Sequence, residues 1–388
     1  MKERYDVIVV GAGPAGSTAA RMIADAGFSV LVCEKDRDVG MPVRCGEAVS
    51  NRSIEQLVDL DPRWIAATIK RFKLIAPNGL CVEPDLGGFG YVLERRIFDY
   101  DLARLAADAG AEVRTKAYVD GLHFSNGTCD GVTMLVQGEP NIVFGKIIIG
   151  ADGVESRVGK WAGIDTTTPF RDMECCAQMT LTNITTDDDA CEFYFGNAVA
   201  PQGYLWIFPK GNRMANVGLG LSGEAAKKKS PLRYLREFVE RKYPNSGILT
   251  TVAGGVPCAP TLSRIVRENV VLVGDAAHQV NPMSGGGITS GMFGGTLAAS
   301  AIIKALHANN FSRLEAYERE WDKRFGSKHR TYYKMKNAIF KISDDALNGI
   351  AEKILAAPAQ NRDLWSIFKI ALFQQPTLIW EMVKVFGV

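Results

Sequence analysis

Tyr5-Asp6-Val7-Ile8-Val9-Val10, then Gly11-Ala12-Gly13-Pro14-Ala15-Gly16, then an alanine-rich run to Ala26-Gly27 and Phe28-Ser29-Val30-Leu31-Val32-Cys33-Glu34 form the stretch on which this chain turns. The first piece is an uninterrupted, largely β-branched run, as expected of a strand buried on both faces of a parallel sheet. The second is a G-x-G-x-x-G turn. Gly11 permits the tight reversal, Gly13 lets the backbone approach a pyrophosphate, and Gly16 lets helix and strand pack closely. The alanine-rich helix directs its unpaired N–H groups at the phosphates. The last piece is a second buried strand ending at Glu34, placed to accept a ribose hydroxyl. Strand, glycines, helix, strand and acid in this order predict a dinucleotide site.

Working outward, 388 residues exceed one ordinary domain, and a 47% hydrophobic content suffices for a substantial core. The formal net charge of +2 argues against a nucleic-acid partner, while a local basic patch facing a membrane stays open. The eight cysteines contain no C-x-x-C pair and the four histidines are scattered, so no metal site is expected. The chain enters a strand at once, without a signal-peptide pattern, and has no run of about 20 apolar residues. A cytoplasmic protein, without a membrane-spanning helix, is the expectation.

After Glu34 a polar, glycine-containing loop runs to Ser50. A short helix is expected at Ser53–Trp64, strands near Phe72–Ile75 and Leu80–Glu83, and an amphipathic helix at Phe98–Ala109. Residues 111–149 alternate in short strands and end in a buried run before Ala151-Asp152-Gly153. The pattern then turns largely β from about Pro169 to Gly255, with one helix near Pro231–Tyr243. A further buried strand leads to Gly274-Asp275, followed by a helix from about Gly287 to Ala308. Cofactor-type strands at the start, in the middle and near residue 270 predict a discontinuous cofactor domain with a β-rich insert.

Gly11–Gly16 with Glu34, Ala151-Asp152-Gly153 and Gly274-Asp275-Ala276-Ala277 together resemble the flavoprotein monooxygenase superfamily built like para-hydroxybenzoate hydroxylase. Two further motifs narrow the resemblance. Pro42-Val43-Arg44-Cys45-Gly46-Glu47 looks like the P-x-R-C-G-E signature of the geranylgeranyl reductases. Tyr204-Leu205-Trp206-Ile207-Phe208-Pro209-Lys210-Gly211 looks like their Y-x-W-x-F-P-K-G signature, followed by Ala215-Asn216-Val217-Gly218-Leu219-Gly220. The similarity covers nearly the whole chain and is closest to the archaeal enzymes acting on digeranylgeranylglycerophospholipids. It implies an α/β chain: a Rossmann-like FAD domain (1–70, 95–165, 265–330), a β-sheet substrate domain (71–94, 166–264) and a C-terminal helical region (331–388).

The resemblance implies FAD contacts at Gly11, Gly13, Ala15, Gly16, Glu34, Arg44, Cys45, Gly46, Ala48, Arg95, Ala117, Asp275, Gly286, Gly287 and Ile288. Arg95 also suits a pyrophosphate on physical grounds, against the alternative of a surface arginine beside Arg96. Asp275 has the alternative of a helix cap, and Asp152 that of a turn former. Cys45 is the candidate catalytic residue, in a loop the resemblance puts beside the flavin; the alternative is a small residue that shapes the site. Tyr204, Trp206 and Phe208 alternate in a strand and share a face, as a wall for a polyisoprenyl chain or as sheet core. Lys210 either anchors a lipid phosphate or is solvated, and His278 reads as a polar loop residue. His329 and Trp365 align loosely with the family's lipid contacts. The segment from Leu364 has apolar residues at helical spacing, interrupted by Lys369, Pro376 and Glu381. It reads as a helix packed on the body, a cover over a lipid channel, or an interfacial helix.

The implied activity is FAD-dependent reduction of isolated C=C bonds in geranylgeranyl chains on a prenylated glycerophospholipid, by a protein peripheral on the inner face of the membrane. The electron donor stays open among ferredoxin, deazaflavin and nicotinamide, since no second dinucleotide fingerprint is visible. Rival readings are an aromatic hydroxylase, a halogenase, a quinone-linked electron-transfer flavoprotein and a non-enzymatic prenyl-lipid-binding module. The halogenase W-x-W-x-I-P motif is matched poorly, because Tyr204 and Phe208 stand at two of its positions. The cysteine spacings lack an iron–sulfur pattern.

Overall fold

The computed structural model describes residues 1–85 and 88–357. The chain divides into two units, Met1–Val43 with Arg95–Thr168 and Pro257–Arg330, and Arg44–Glu94 with Pro169–Val256 and the chain from Thr331 onward.

In the first unit the β-branched run forms the strand Arg4–Val10, which pairs in parallel with Val30–Cys33 on one side and Glu139–Gly150 on the other. Glu112–Arg114 and Val270–Leu272 extend the parallel sheet at either end. The strands Ala117–Ser125 and Thr128–Val136 form an antiparallel ribbon that joins it through the first half of Glu139–Gly150. Val7, Ile8, Val9, Leu31, Ile147, Ile148, Ile149 and Leu272 are all fully or almost fully buried, as strands covered on both faces require. The helices Pro14–Asp25 and Ile288–Ala308 pack together through small residues. A Cβ on Gly295 would stand 2.4 Å from the Ala15 carbonyl oxygen.

In the second unit seven strands form one sheet and Ala48–Ser50, Gly90–Leu93 and Ile65–Ile69 form a three-stranded one. Period-two alternation sorts the larger sheet into two faces. Ala177, Met179, Leu181, Leu205, Ile207, Val217, Leu219 and Leu221 face the helix Pro231–Lys242, through its Leu235, Phe238 and Val239. The opposite face carries Trp206 and Phe208 with Cys191, Phe193, Cys176 and Tyr204 around them.

Three expectations are corrected. The first domain boundary falls at Val43/Arg44 rather than at 70, because Ala48–Ser50 and Ile65–Ile69 pair with Gly90–Leu93. The described residues after 330 belong to the second unit, where Ile350, Ala351 and Ile354 pack with Val82. The helix expected at Ser53–Trp64 is two short pieces, Asn51–Ile54 and Pro62–Trp64. Pro62 has no N–H to continue a helix, and the Asp61 side chain caps a new turn by accepting from the Arg63 N–H. Trp365 and the segment from Leu364 lie outside the described residues.

Candidate functional site

The three glycines of the opening turn have three separate geometries. Gly11 has φ +107°, and a Cβ there would lie 2.3 Å from the Ala151 carbonyl oxygen. A Cβ on Gly16 would lie 2.1 Å from the Gly11 carbonyl oxygen and 3.2 Å from Val9. Both glycines are therefore required by close backbone packing. At Gly13 a Cβ meets nothing within 4 Å, so the space over this residue is open. Gly13 is also the N-cap of the Pro14–Asp25 helix, which has no side-chain cap and no acid in its first turn. Open space over uncapped helical N–H groups fits a dinucleotide phosphate.

Glu34 follows the second strand and accepts the Ala12 N–H at 3.0 Å and the Asp36 N–H at 2.9 Å, so its carboxylate is fixed at the turn. Ala117 is buried in the core and donates its N–H to the Glu34 carbonyl at 2.9 Å. Lys35, Lys116, Tyr118 and Gln137 line an open groove of about 570 Å³ beside these residues. The Ala15 methyl is covered by Gly274 and Gly291, so it is a spacer between the Pro14–Asp25 helix and the chain around these glycines.

Arg95 begins the helix Arg95–Asp108 and is half-buried, whereas Arg96 is the exposed one. Its guanidinium grips Asp99, with Nε 2.9 Å from Oδ1. Asp275 sits in the short helical turn Gly274–Ala277, and a Cβ on Gly287 would come within 3.0 Å of its Oδ1. Loss of solvent raises the Asp275 carboxyl above the usual carboxylate range, and the charge of Arg95 opposes that rise. Gly286 is exposed, Gly287 is the N-cap and Ile288 the first residue of a long helix with no side-chain cap and no acid in its first turn. That terminus is a second place in this unit suited to negative charge. Asp152 accepts the Val158 N–H at 3.0 Å through Oδ2, so it caps a short helix. His278 is buried in a left-handed turn, with Nε2 3.0 Å from the Thr168 hydroxyl.

In the second unit the segment Arg44–Glu47 rests on the aromatic face of the large sheet. Arg44 and Ala48 are exposed and Cys45 is half-buried. A Cβ on Gly46 would lie 2.8 Å from the Phe208 ring and 3.4 Å from the Trp206 indole nitrogen, so only glycine fits. Glu47 adopts φ +74°, a left-handed conformation costly for a side chain of this size. Its surroundings hold it there. The Glu47 Oε2 accepts from Lys210 Nζ at 2.6 Å and from Asn216 Nδ2 at 2.5 Å. Lys210 also reaches Glu94 Oε1 at 2.9 Å and the Leu93 carbonyl at 3.1 Å. Asn216 accepts from the Thr180 hydroxyl at 2.9 Å. The Cys45 sulfur accepts the Glu47 N–H at 3.2 Å.

Tyr204, Trp206 and Phe208 do share a face, but Trp206 and Phe208 are buried and only Tyr204 is half-exposed. The two buried rings support Gly46. Lys210 is neither solvated nor free for a phosphate: it is buried between two carboxylates. His329 is a core residue of the first unit, 5% exposed, edge-on to Trp321 and within 3.3 Å of the Thr261 hydroxyl. Burial lowers its imidazole to about 4, leaving it neutral. The position of Lys210 corrects both expectations for it, and His329 stands enclosed by Trp321 and Thr261.

Gln178, Glu47 and Asn216 carry the Cys45 segment, yet the sequence alone assigns them no role. The available signal is faint: Gln178 is the one amide in the strand Met173–Thr182 and shares its face with Glu174 and Cys176.

Residues 172–256 match the geranylgeranyl reductase catalytic domain, and residues 9–73 match an NAD(P)-binding Rossmann-like domain. A digeranylgeranylglycerophospholipid reductase of Methanocella arvoryzae is 42% identical over 389 aligned residues, covering 99% of both chains. The crystal structure of a geranylgeranyl bacteriochlorophyll reductase-like protein of Thermoplasma acidophilum superposes with a TM-score of 0.92 at 33% identity, covering 99% of this chain and 100% of that one. A flavin-dependent brominase superposes with a TM-score of 0.73 at 17% identity over 97% of this chain and 100% of its own, a likeness of fold alone. A dinucleotide turn, a Cys45 segment seated on aromatic rings and full-length likeness to these reductases lead to one conclusion: the chain belongs to the geranylgeranyl reductase family.

Proposed function

We propose that this protein binds FAD and reduces isolated C=C bonds in the geranylgeranyl chains of a digeranylgeranylglycerophospholipid. The observation that carries the reading is the 42% identity over 99% of both chains to an enzyme bearing that name. The residues of the first unit fit FAD. The open space over Gly13 accommodates a pyrophosphate, Glu34 offers lone pairs to the adenosine ribose, and Arg95 suits the phosphates. Asp275 is the residue proposed to take ribityl hydroxyls, and the uncapped helix start at Gly287-Ile288 supports negative charge beside it.

The chemistry that FAD would supply when bound and reduced is a hydride equivalent for one alkene carbon, with a proton from an acid completing the saturated bond at the other. An unconjugated alkene has no carbonyl to polarise, so the chain contributes by orienting the prenyl group and excluding water. Cys45 is the residue proposed to face the reacting bond, with Tyr204 on the apolar face that receives the prenyl chain. The proposed substrate is itself a membrane lipid, which supports a peripheral place of work at a membrane surface. No described helix is long and apolar enough to cross a membrane.

The test is mass spectrometry of digeranylgeranylglycerophospholipid incubated with the flavin-loaded, dithionite-reduced protein. Mass gains in steps of two hydrogens are expected. A flavin-loaded preparation that leaves the lipid unchanged sinks the proposal. Within it, Cys45→Ala is expected to slow single-turnover reduction at least tenfold, and full retention of the rate excludes a chemical role for the thiol.

A further inference from the structure

Gln178 lies on the strand Met173–Thr182 and is 5% exposed. Its side chain is doubly bonded: Nε2 donates to the Cys45 carbonyl at 2.8 Å, and Oε1 accepts the Trp206 indole N–H at 3.0 Å. The chemistry of the partners fixes the amide orientation. An indole N–H only donates and a backbone carbonyl only accepts, so the reversed amide would lose both bonds.

The bond to Trp206 crosses a whole strand. Gln178, Gly218 and Trp206 stand in one register line across three neighbouring strands. A Cβ on Gly218 would fall 2.5 Å from the indole ring, so the ring passes over this glycine to reach the amide. The Gly218-Leu219-Gly220 run is thereby partly explained: Leu219 enters the opposite core, Gly218 makes room for the ring, and Gly220 makes room for the Cys176 sulfur, 3.1 Å from where its Cβ would stand. Trp206 thus holds Gln178, Gln178 holds the Cys45 carbonyl, and Gly46 is seated on the Trp206 and Phe208 rings. The Glu47 N–H then holds the sulfur itself.

We propose that Gln178 is the positioning residue for Cys45, setting where its thiol stands through the Trp206–Gln178–Cys45 relay. The inference rests on the reading of Cys45 as the residue that faces the alkene. Gln178 touches neither substrate nor cofactor in it and acts only through the Cys45 backbone. A buried amide with both bonds satisfied locks a loop, whereas a partly satisfied one leaves a carbonyl unpaired at a cost.

Three substitutions separate the parts of the relay. Gln178→Glu keeps an acceptor for the indole but sets an oxygen against the Cys45 carbonyl. Gln178→Leu removes both bonds, and Trp206→Phe frees the amide while keeping an aromatic ring. Flavin-loaded proteins are compared by the rate of Cys45 alkylation with iodoacetamide from pH 6 to 10, resolved by peptide mass spectrometry. Steady-state kinetics of lipid reduction with dithionite accompany it. All folded variants are expected to shift the Cys45 alkylation profile. Gln178→Glu is expected to lower kcat tenfold or more with KM within about twofold. An unchanged alkylation profile in any folded Gln178 variant overturns the proposal whatever its activity. If Gln178→Glu does not fold, Gln178→Leu and Trp206→Phe answer the same question. If the wild-type protein reduces no lipid, the functional reading fails, and the alkylation profiles still decide whether Gln178 positions Cys45.

Discussion

The dinucleotide turn of the first unit and the Cys45 segment of the second are both loops held in unusual backbone conformations, but by different atoms. At the turn the constraint is the absence of side chains: Gly11 and Gly16 are pressed against backbone carbonyls, and Gly13 is left open. At Cys45 the constraint is side chains from distant parts of the chain, with Lys210 and Asn216 converging on Glu47 and Gln178 on Cys45. The first design is cheap to desolvate because little charge is involved. The second encloses an ion pair, with Lys210 and Glu47 side chains 7% and 4% exposed. Such a pair adds little net stability over an apolar isostere, but losing one partner is severe. The difference predicts where each unit breaks.

The largest effect is therefore expected at Lys210. Lys210→Met leaves Glu47 and Glu94 facing each other without their shared cation, and removes a donor from the Leu93 carbonyl. A loss of about 3–5 kcal/mol is expected, read as a lower urea midpoint. A loss below about 1 kcal/mol would mean that the carboxylates find water, and that the segment is held by Asn216, Gln178 and the aromatic rings without the ion pair.

The same contrast explains what was legible in the sequence. The turn is written locally: Gly11, Gly13, Gly16 and Glu34 lie within 24 residues, and the spacing announces both the two glycines that close packing requires and the open one between them. The strands, the long helices and the β-rich insert follow equally from period and composition. The Cys45 support is not local. Gln178 is 133 positions from Cys45, and Lys210 is 163 from Glu47. The motif marks Cys45, Trp206 and Lys210 without saying that Lys210 points inward to a glutamate or that Trp206 is a floor. His329 is an intermediate case: Trp321 is only eight positions away, but Thr261 is 68 away, and its enclosure by both is not written in its neighbours.

A second test sharpens the comparison through pH. Glu174 shares the Gln178 face of its strand and is 9% exposed, with Oε1 buried and unpartnered among the described residues. Burial raises its carboxyl from 4.5 to about 8; Lys336 pulls it down and Asp172 pushes it up. Between these values the native state holds a proton that the unfolded chain has released. Its stabilising contribution is full below pH 4.5 and is lost as pH rises through about 8. At about 1.4 kcal/mol per tenfold change in proton binding, the loss reaches a few kcal/mol by pH 9. Glu174→Gln cannot ionise, so its melting temperature is expected to fall less than that of the wild type between pH 5 and 9. Parallel curves would show that the carboxyl is not the titrating group.

The smallest expected change in stability belongs to Gly13, and it separates scaffold from cradle in the first unit. Gly11→Ala drives a methyl into the Ala151 carbonyl at a φ of +107° and should cost about 1–3 kcal/mol, even without ligand. Gly13→Ala meets no atom and keeps an ordinary extended backbone, φ −69° and ψ 178°. Its thermal stability without flavin should stay within about 1 kcal/mol of the wild type. The methyl nevertheless occupies the space proposed for the pyrophosphate, so flavin affinity should fall tenfold or more, about 1.4 kcal/mol. Measured together by calorimetric unfolding of the apoprotein and by flavin titration, the two variants should differ in kind. Gly11→Ala loses fold and ligand together, whereas Gly13→Ala loses ligand alone. If Gly13→Ala binds flavin as the wild type does, the open space over Gly13 is not where the phosphates sit. The backbone-built design would then be a packing solution, with recognition left to Glu34, Arg95 and Asp275.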